Sequence, residues 1–148
     1  MDNPQDRLEL DSQLTELSRV QPWIEAVADR HGVAEDIRFA MQLCMEEALA
    51  NVVLHGYHSE PGHPIVLKTS VSAGTLFFTI DDQAPPFSPI EPGWRDDRTK
   101  PASLASIQPG GNGLRLLRHF GGSLSYERLA DGNRLTIGFA VPMKNASI

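Results

Sequence analysis

Two β-hairpin patterns, each preceded by a helix pattern, constrain the fold of this chain more than any other feature. Both hairpins alternate apolar and polar side chains, the first turning at Ala73-Gly74 and the second at residues 130–133. The short run Leu8-Glu9-Leu10 alternates as well, which is consistent with a short edge strand. The hairpin strands are residues 65–72 and 75–81 in the first pair and residues 123–129 and 134–141 in the second. Because hairpins pair their strands antiparallel, we predict a mainly antiparallel sheet.

Three helix patterns accompany the hairpins, at residues 14–31, 35–55 and 114–120. The second is the strongest, since its apolar residues recur at helical spacing and Gly56 ends it. Pro22 interrupts the first, so that helix either bends or begins there. The apolar stripes comprise Leu14, Leu17, Ile24, Val27 and Ala28 in the first helix, and Ile37, Ala40, Met41, Cys44, Ala48 and Val52 in the second. The order of elements predicts an α+β fold: a two-layer sandwich with the helices on one face of the sheet.

A proline-rich segment, residues 85–109, separates the two hairpins. Six of the 11 prolines of the chain lie in it, and it has almost no periodicity. Long loops of this kind in small domains are usually functional lids or disordered segments. We therefore expect one domain, residues 1–148, with a lid loop at about residues 85–110.

The overall composition excludes several classes of function. At 148 residues the chain can bury a core, and its net charge of −6 would repel a phosphate backbone, so nucleic acid is not an expected partner. No apolar run approaches the roughly 18 residues that span a membrane, and the acidic N-terminus is unlike a signal peptide. Cys44 is the only cysteine, which fits a reducing cytosol. The expected location is the cytoplasm, without a membrane partner.

Glu47 and Asn51 form the first chemical motif. They are four residues apart on the strongest helix, so their side chains lie on one face. An amide oxygen is a hard neutral ligand that suits Mg²⁺, and a carboxylate one turn away could accept a proton from an incoming hydroxyl. Solvated helix positions are the ordinary alternative, although Asn is mildly costly within an apolar helix. Glu46 points about 100° away around the helix and is expected to be solvated.

Asp82 follows the strand at residues 75–81, at a position from which strands commonly present a ligand-binding side chain. Its carboxylate could accept a hydrogen bond from the exocyclic amine of adenine and would repel the carbonyl oxygen of guanine. A turn-forming role before Pro85-Pro86 is the alternative. Asp81 is the neighbouring candidate, but strand alternation sends the two carboxylates to opposite faces.

Gly110, Gly111 and Gly113 immediately precede the third helix. Glycines allow the backbone to approach an anion closely, and the N–H groups at a helix start can hold phosphate oxygens. A flexible hinge is an equally ordinary use of such glycines. Arg115 and Arg118 follow on the helix, where either could add positive charge near a phosphate.

Two further features carry less weight. His55, His58 and His63 crowd one segment, but without a cysteine or a partner from a second strand they more often form a polar loop than a metal site. Cys44 lies on the apolar stripe of the second helix, so we expect an inert core residue.

Taken together, these motifs resemble those of the GHKL (Bergerat) ATPases. The strings Glu46–Tyr57, Asp82–Pro89 and Gly110–Leu114 are more specifically similar to the anti-sigma-factor serine/threonine kinases of bacterial partner-switching systems. The resemblance covers roughly residues 8–142 and implies the GHKL fold with a bound ATP and Mg²⁺.

Carried over position by position, the resemblance implies roles for the motif residues. Glu47 would be the catalytic base, Asn51 the Mg²⁺ ligand, and Asp82 the carboxylate that binds the adenine amine. Thr136, on the last strand, would assist Asp82 through a water molecule. The remaining nucleotide-binding positions that it implies are Ala84, Gly110, Gly111, Gly113 and Leu114.

The same resemblance implies an activity and partners. The family transfers the γ-phosphate of ATP to a Ser or Thr of a STAS-domain anti-anti-sigma protein, sequesters a sigma factor and typically forms homodimers. Arg19 would lie on the partner-binding surface. A client other than a sigma factor stays open.

Ala84 departs from the family pattern, which has glycine in Asp-x-Gly. ATP binding is expected to survive if the backbone at this position does not need a positive φ. A binding-only regulator, which holds ATP and titrates a partner without phosphorylating it, is therefore the alternative to a kinase.

Overall fold

Five strands form one antiparallel sheet in the computed structural model, which describes residues 6–86 and 112–141, without the side chains of Asn112 and Leu114. The strands are β1 (Arg7–Asp11), β2 (Pro64–Ser72), β3 (Thr75–Asp82), β4 (Ser123–Leu129) and β5 (Gly132–Ala140). Their order in the sheet is β1-β2-β3-β5-β4, and every neighbouring pair is antiparallel. Helices lie on one face of this sheet. The predicted α+β sandwich is confirmed, and Leu8-Glu9-Leu10 lies in an edge strand as expected.

Both predicted hairpins are present, but the second is tighter than expected. In the first, Ala73 (φ +50°) and Gly74 (φ +81°) both adopt the left-handed conformation that short hairpin turns require. In the second, Gly132 already pairs with Leu129, so β5 begins at Gly132 and not at residue 134. The prediction treated residues 130–133 as a turn because Asp, Gly and Asn favour turns. Strand pairing overrides that local preference and places Asn133 inside the sheet.

The first helix begins with a 3-10 helix, Leu14–Arg19, and continues as α1 (Val20–Arg30). Pro22 therefore lies in the first turn of α1, where its missing N–H costs no hydrogen bond. The prediction that Leu14 belongs to the buried stripe is wrong, since this residue is 48% exposed. A 3-10 helix has a tighter turn than an α-helix, so the 3.6-residue period does not extend back to Leu14.

The predicted buried stripe of the second helix is confirmed. This helix is α2 (Glu35–Asn51), followed directly by one π-helical segment, Val52–Gly56, which ends at the expected glycine. The third helix is α3 (Asn112–His119). Among the described residues, no helix is both long and apolar enough to cross a membrane.

The core lies between the helices and one face of the sheet. That face presents large apolar side chains from the central strands, which pack against α1 and α2. The fully buried members include Leu10, Ile24, Met41, Met45, Leu49, Ile65, Leu67, Leu76, Phe78, Ile80 and Phe139. The opposite face of the sheet carries the alternate residues, most of which are polar. Register pairs Thr79 with both Lys68 and Thr136 on that outer face.

Candidate functional site

Asp82 lies at the end of β3 and turns its side chain toward the helical layer. It is 5% exposed, and its Oδ1 accepts hydrogen bonds from the Ala84 N–H at 2.9 Å and from Asn133 Nδ2 at 2.8 Å. Burial raises the pKa of Asp82, while the hydrogen bonds from Asn133 and Ala84 partly offset that effect. Among the described residues, both hydrogen bonds go to Oδ1. Asp81 faces the other way and forms a two-point ion pair with Arg134 at 2.7 and 2.8 Å.

Asn133 is one of the residues of this site that the sequence prediction missed. It is 2% exposed and stands directly across from Asp82 in the register of β3 and β5. Its Oδ1 accepts from Tyr126 Oη and, at 3.2 Å, from Arg128 Nη1. A two-residue hairpin turn at Ala130-Asp131 was the signal that could have revealed it, because that turn puts Asn133 on the core face.

Ala84 contributes its backbone to the same site. Besides the N–H bond to Asp82, its carbonyl accepts from Arg128 Nη1 at 2.9 Å and from Asn133 Nδ2 at 3.2 Å. The described non-glycine residues with positive φ are His58, Ser59 and Ala73, so Ala84 has ordinary backbone angles. The methyl group at this departure from Asp-x-Gly therefore costs no backbone strain.

Two residues hold the chain around Asp82 in position, and neither was predicted. A Cβ at Gly132 would lie only 1.8 Å from the carbonyl oxygen of Asp82, so glycine is required there for the close approach of two strands. Tyr57 donates its hydroxyl to the Pro64 carbonyl at 2.8 Å and accepts from the Gln83 N–H at 2.6 Å. Gly132 and Tyr57 thus both contact the peptide group that follows Asp82.

Glu47 and Asn51 lie one turn apart on α2, and both side chains are partly exposed. Glu47 Oε1 accepts the Gly113 N–H at 2.8 Å, which brings the first turn of α3 against the carboxylate. Cys44 Sγ donates to the Gly113 carbonyl at 2.8 Å, and a Cβ at Gly113 would lie 2.9 Å from Cys44 Cα. Glycine at residue 113 therefore permits close packing of α3 on α2. Glu46 is exposed, as predicted.

Thr136 does not come together with Asp82. It lies three positions after Asn133 along β5, and because the side chains of a strand alternate between faces, the two point to opposite faces. Its partner in the register is Thr79, on the outer face of the sheet. The position that the resemblance gave to Thr136 beside Asp82 is occupied by Asn133. The assignment of Thr136 came from the motif resemblance alone, which does not include the register of β5 against β3.

The remaining predicted residues lie partly outside the described chain. Gly110 and Gly111 fall outside the described residues, as does most of the predicted lid. Leu114 belongs to α3, but its side chain is not described. Arg19 ends the 3-10 helix, is about half exposed and pairs with Glu16 Oε1 at 3.0 Å. Its role at a partner surface stays a prediction.

Cys44 and His63, which the sequence analysis considered as further candidates, make contacts typical of structural residues. Cys44 is fully buried, and burial raises the pKa of its thiol to about 12, which fits the predicted inert core residue. His63 stacks on Tyr57 at 4.8 Å between ring centres and lies 2.6 Å from Glu60 Oε1. Among the described residues, no group of three or more His, Cys, Asp or Glu side chains could hold a metal ion. The amide of Asn51 is the kind of single hard oxygen that suits Mg²⁺ when phosphates and waters supply the other ligands.

The antiparallel sheet under a helical layer, with Asp82 at a strand end and the Glu47–Asn51 pair on α2, is the arrangement that the GHKL ATPase resemblance predicts. The model of the histidine kinase-like ATPase domain matches residues 10–139. The serine/threonine-protein kinase BtrW of Bordetella bronchiseptica is 34% identical over 139 residues, which cover 93% of this chain and 94% of BtrW. The chain therefore belongs to the histidine-kinase-like ATPase family.

Solved structures agree with this fold. The histidine kinase domain of the Erythrobacter litoralis blue-light activated histidine kinase is similar with a TM-score of 0.55 at 19% identity, over 86% of this chain and 60% of that domain. Full-length ShkA in complex with AMPPNP is similar with a TM-score of 0.53 at 16% identity, over 89% of this chain and 30% of ShkA. The chain thus spans less than two thirds of either structure, and both likenesses concern the fold alone.

Proposed function

We propose that this protein is an ATP- and Mg²⁺-dependent protein serine/threonine kinase. One observation carries the proposal: the carboxylate of Glu47 lies 2.8 Å from the backbone N–H of Gly113, at the start of the helix expected to hold phosphates. A candidate proton acceptor and a candidate phosphate cradle are therefore adjacent. The similarity to the serine/threonine-protein kinase BtrW supports the same reaction class.

In the proposed reaction, the hydroxyl oxygen of a Ser or Thr attacks the γ-phosphorus of ATP. The new O–P bond forms as the bond from the γ-phosphorus to the β–γ bridging oxygen breaks, and ADP leaves with that oxygen. Glu47 takes the hydroxyl proton, a role for which a partly exposed carboxylate beside a helix start is suited. General-base assistance of this kind typically contributes about 10²- to 10⁴-fold in rate.

Asn51 and the glycines are assigned to the phosphate end of the nucleotide. The amide oxygen of Asn51, one turn beyond Glu47, would hold Mg²⁺, which when bound neutralises charge on the phosphate oxygens. Gly110 and Gly111, together with the first turn of α3, would hold the phosphates through backbone N–H groups. Because Gly113 donates to Glu47, we assign its N–H to orienting the base.

Asp82 is assigned to the base of the nucleotide. Oδ1 is held by Ala84 and Asn133, so Oδ2 would accept the exocyclic amine of adenine. A guanine would present a carbonyl oxygen to the same carboxylate, which is repulsive. The site is therefore proposed to select adenine over guanine nucleotides.

The proposed protein substrate is a STAS-domain anti-anti-sigma protein, phosphorylated on Ser or Thr, within a cytoplasmic partner-switching system. The kinase would also sequester a sigma factor or another regulated client and act as a homodimer. The half-exposed Arg19 on the 3-10 helix is the residue assigned to partner contact. These assignments rest on the resemblance of the motifs.

The alternative is a binding-only regulator, which the replacement of the family's glycine by Ala84 suggests. The backbone angles of Ala84 are ordinary, so its methyl group causes no strain and does not favour that alternative. The kinase is accordingly the function we propose.

The test is a phosphate-transfer assay with purified protein, Mg-ATP and the STAS-domain proteins of the same genome, read by intact mass. Glu47→Gln is the matched control, since the amide keeps an acceptor for the Gly113 N–H but cannot take a proton. We expect one added phosphate on a Ser or Thr with the native protein and at least a hundredfold slower transfer with Glu47→Gln. ATP binding without transfer to any STAS protein in a complete set would overturn the kinase in favour of the binding-only regulator.

A further inference from the structure

Asn133 links two residues of β4 to Asp82 on β3 through hydrogen bonds of its side-chain amide. Arg128 and Tyr126 on β4 both donate to Asn133 Oδ1, and Asn133 Nδ2 donates onward to Asp82 Oδ1. Arg128 can only donate, so the amide oxygen must face β4 and the amide nitrogen must face β3. The orientation of the amide is therefore set by the network.

The position of the Asn133 amide between Arg128 and Asp82 affects the electrostatics of the carboxylate. Although burial raises the pKa of Asp82, the guanidinium of Arg128 is close enough to favour the ionised carboxylate and so to offset part of that rise. Among the described residues it donates to Asn133 Oδ1 and to the Ala84 carbonyl, and Asn133 donates one neutral N–H to Asp82 Oδ1, so the amide links the cation to the carboxylate. At 2% exposure, Asn133 is too enclosed for water to take over this role.

Asn133 also ties the carboxylate to the backbone that follows it. Its Nδ2 lies 3.2 Å from the Ala84 carbonyl and 3.3 Å from the Pro85 carbonyl, and Arg128 reaches the Ala84 carbonyl at 2.9 Å. Side chain and backbone around Asp82 are thus oriented by the same amide.

We propose that Asn133 is a positioning residue that sets the base specificity of the nucleotide site by fixing Asp82 with Oδ2 directed at the ligand. This inference rests on the proposed function. Asn133 itself has no spare hydrogen bond for a base, since its carbonyl takes two donors and its amide faces three acceptors among the described residues. It acts through Asp82 and does not read the base.

The test compares the binding of ADP and inosine diphosphate, which differ at the group that Asp82 would recognise. Asn133→Thr and Asn133→Val are a matched pair, since both have the same shape and only Thr keeps a hydroxyl that can donate across the strand to Asp82. Titration calorimetry with Mg-ADP and Mg-inosine diphosphate gives the ratio of the two dissociation constants. Thr79→Val, on the outer face of β3, is the control for the change from Thr to Val.

We expect the native protein and Thr79→Val to prefer ADP by about tenfold or more, and Asn133→Val to lose about tenfold of that preference. Asn133→Thr should restore most of it. A purely structural role would lower affinity for both nucleotides equally and leave the ratio unchanged in all variants, which would overturn the inference. If the native protein binds neither nucleotide, the proposed function fails and the inference fails with it.

Asn133→Val could fail to fold, because Arg128 and Tyr126 would lose a buried acceptor. Circular dichroism detects that outcome. The variant Tyr126→Phe/Arg128→Met then replaces it: the change is made on one half-buried and one exposed residue, and neither Phe nor Met carries a donor that could orient the amide. A reduced ADP preference in this variant supports the role of Asn133, and an unchanged preference contradicts it.

Discussion

Replacing Asp82 by Asn separates recognition from stability at the base-binding end of the site. The amide is nearly isosteric with the carboxyl group, so its oxygen can still accept from the Ala84 N–H and from Asn133 Nδ2. The other oxygen, however, becomes an NH₂ group, which is a donor facing the donor of adenine. We expect Asp82→Asn to fold normally and to lose nucleotide affinity.

The size of the expected loss in ADP affinity follows from the hydrogen bond that the Asp82→Asn substitution removes. A hydrogen bond to a charged acceptor contributes about 1.5–3 kcal/mol, so its loss weakens ADP binding roughly tenfold to more than a hundredfold. The opposed donors can only add to this loss. The preference for ADP over inosine diphosphate should disappear or reverse, since inosine presents a carbonyl oxygen that the new amide can donate to.

The effect on stability has the opposite sign. Burial raises the pKa of Asp82 above its ordinary value of 3.8, so the folded protein holds this proton more tightly than the unfolded chain. The contribution of protonated Asp82 to the free energy of unfolding is fully present at a pH below the pKa of the unfolded chain. It is lost as the pH rises through the pKa of the folded protein. At pH 7 the raised pKa therefore costs stability, and Asp82→Asn is expected to be as stable as the native protein or more stable.

The assay pairs thermal unfolding at pH 7 with calorimetric titration of Mg-ADP. Asp81→Asn is the matched control, because Asp81 lies on the outer face and pairs with Arg134. The reasoning is refuted if Asp82→Asn keeps native ADP affinity, or if its affinity falls only in proportion to a large drop in unfolding temperature. The second outcome would mean that Asp82 is a structural residue.

Three further predictions concern the close contacts of the site. Gly113→Ala would place a methyl group 2.5 Å from Glu47 Oε1 and 2.9 Å from Cys44 Cα. The rate of phosphate transfer should therefore fall about 10²-fold or more, with a smaller change in ATP affinity. A transfer rate equal to that of the native protein would contradict the assignment of Gly113 to orienting Glu47. Gly132→Ala would put a methyl group 1.8 Å from the Asp82 carbonyl, so denaturant unfolding should show a loss of about 1–3 kcal/mol together with weaker ADP binding. Because the pKa of Cys44 is raised to about 12, the fraction of its thiol that is ionised at pH 8 is on the order of 10⁻⁴. Iodoacetamide should therefore modify Cys44 only after the protein unfolds. Rapid labelling of the folded protein would contradict a buried, un-ionised thiol.

Local periodicity accounts for the parts of the structure that were predicted correctly. The apolar stripe of α2 is a repeat within one helix, so it follows from the spacing of Ile37, Met41 and Ala48 alone. Alternation along β3 likewise predicts that Asp82 faces the core side and Asp81 the other side. Each of these predictions needs only the immediate neighbours of a residue.

The errors arise where one segment meets a distant one. Asn133 was placed in a turn because its local sequence favours turns, whereas pairing with β3 draws it into the sheet opposite Asp82. The motif resemblance gave Thr136 a role beside Asp82 that its position opposite Thr79 on the outer face does not fit. Leu14 was assigned to the core because the helical period was extended into a segment that is a 3-10 helix.

The sequence by itself determined the order of the elements, the core face of each, and the Glu47–Asn51 and Asp82 positions, because these depend on spacing along the chain. Only the tertiary structure decided that Gly113 contacts Glu47, that Gly132 admits the Asp82 backbone, and that an Asn–Tyr–Arg network orients the carboxylate. Such contacts depend on strand register and helix packing between residues about 50 or more positions apart in several cases. A one-residue difference in the register of β5 would have turned the Asn133 side chain to the other face of the sheet, away from Asp82.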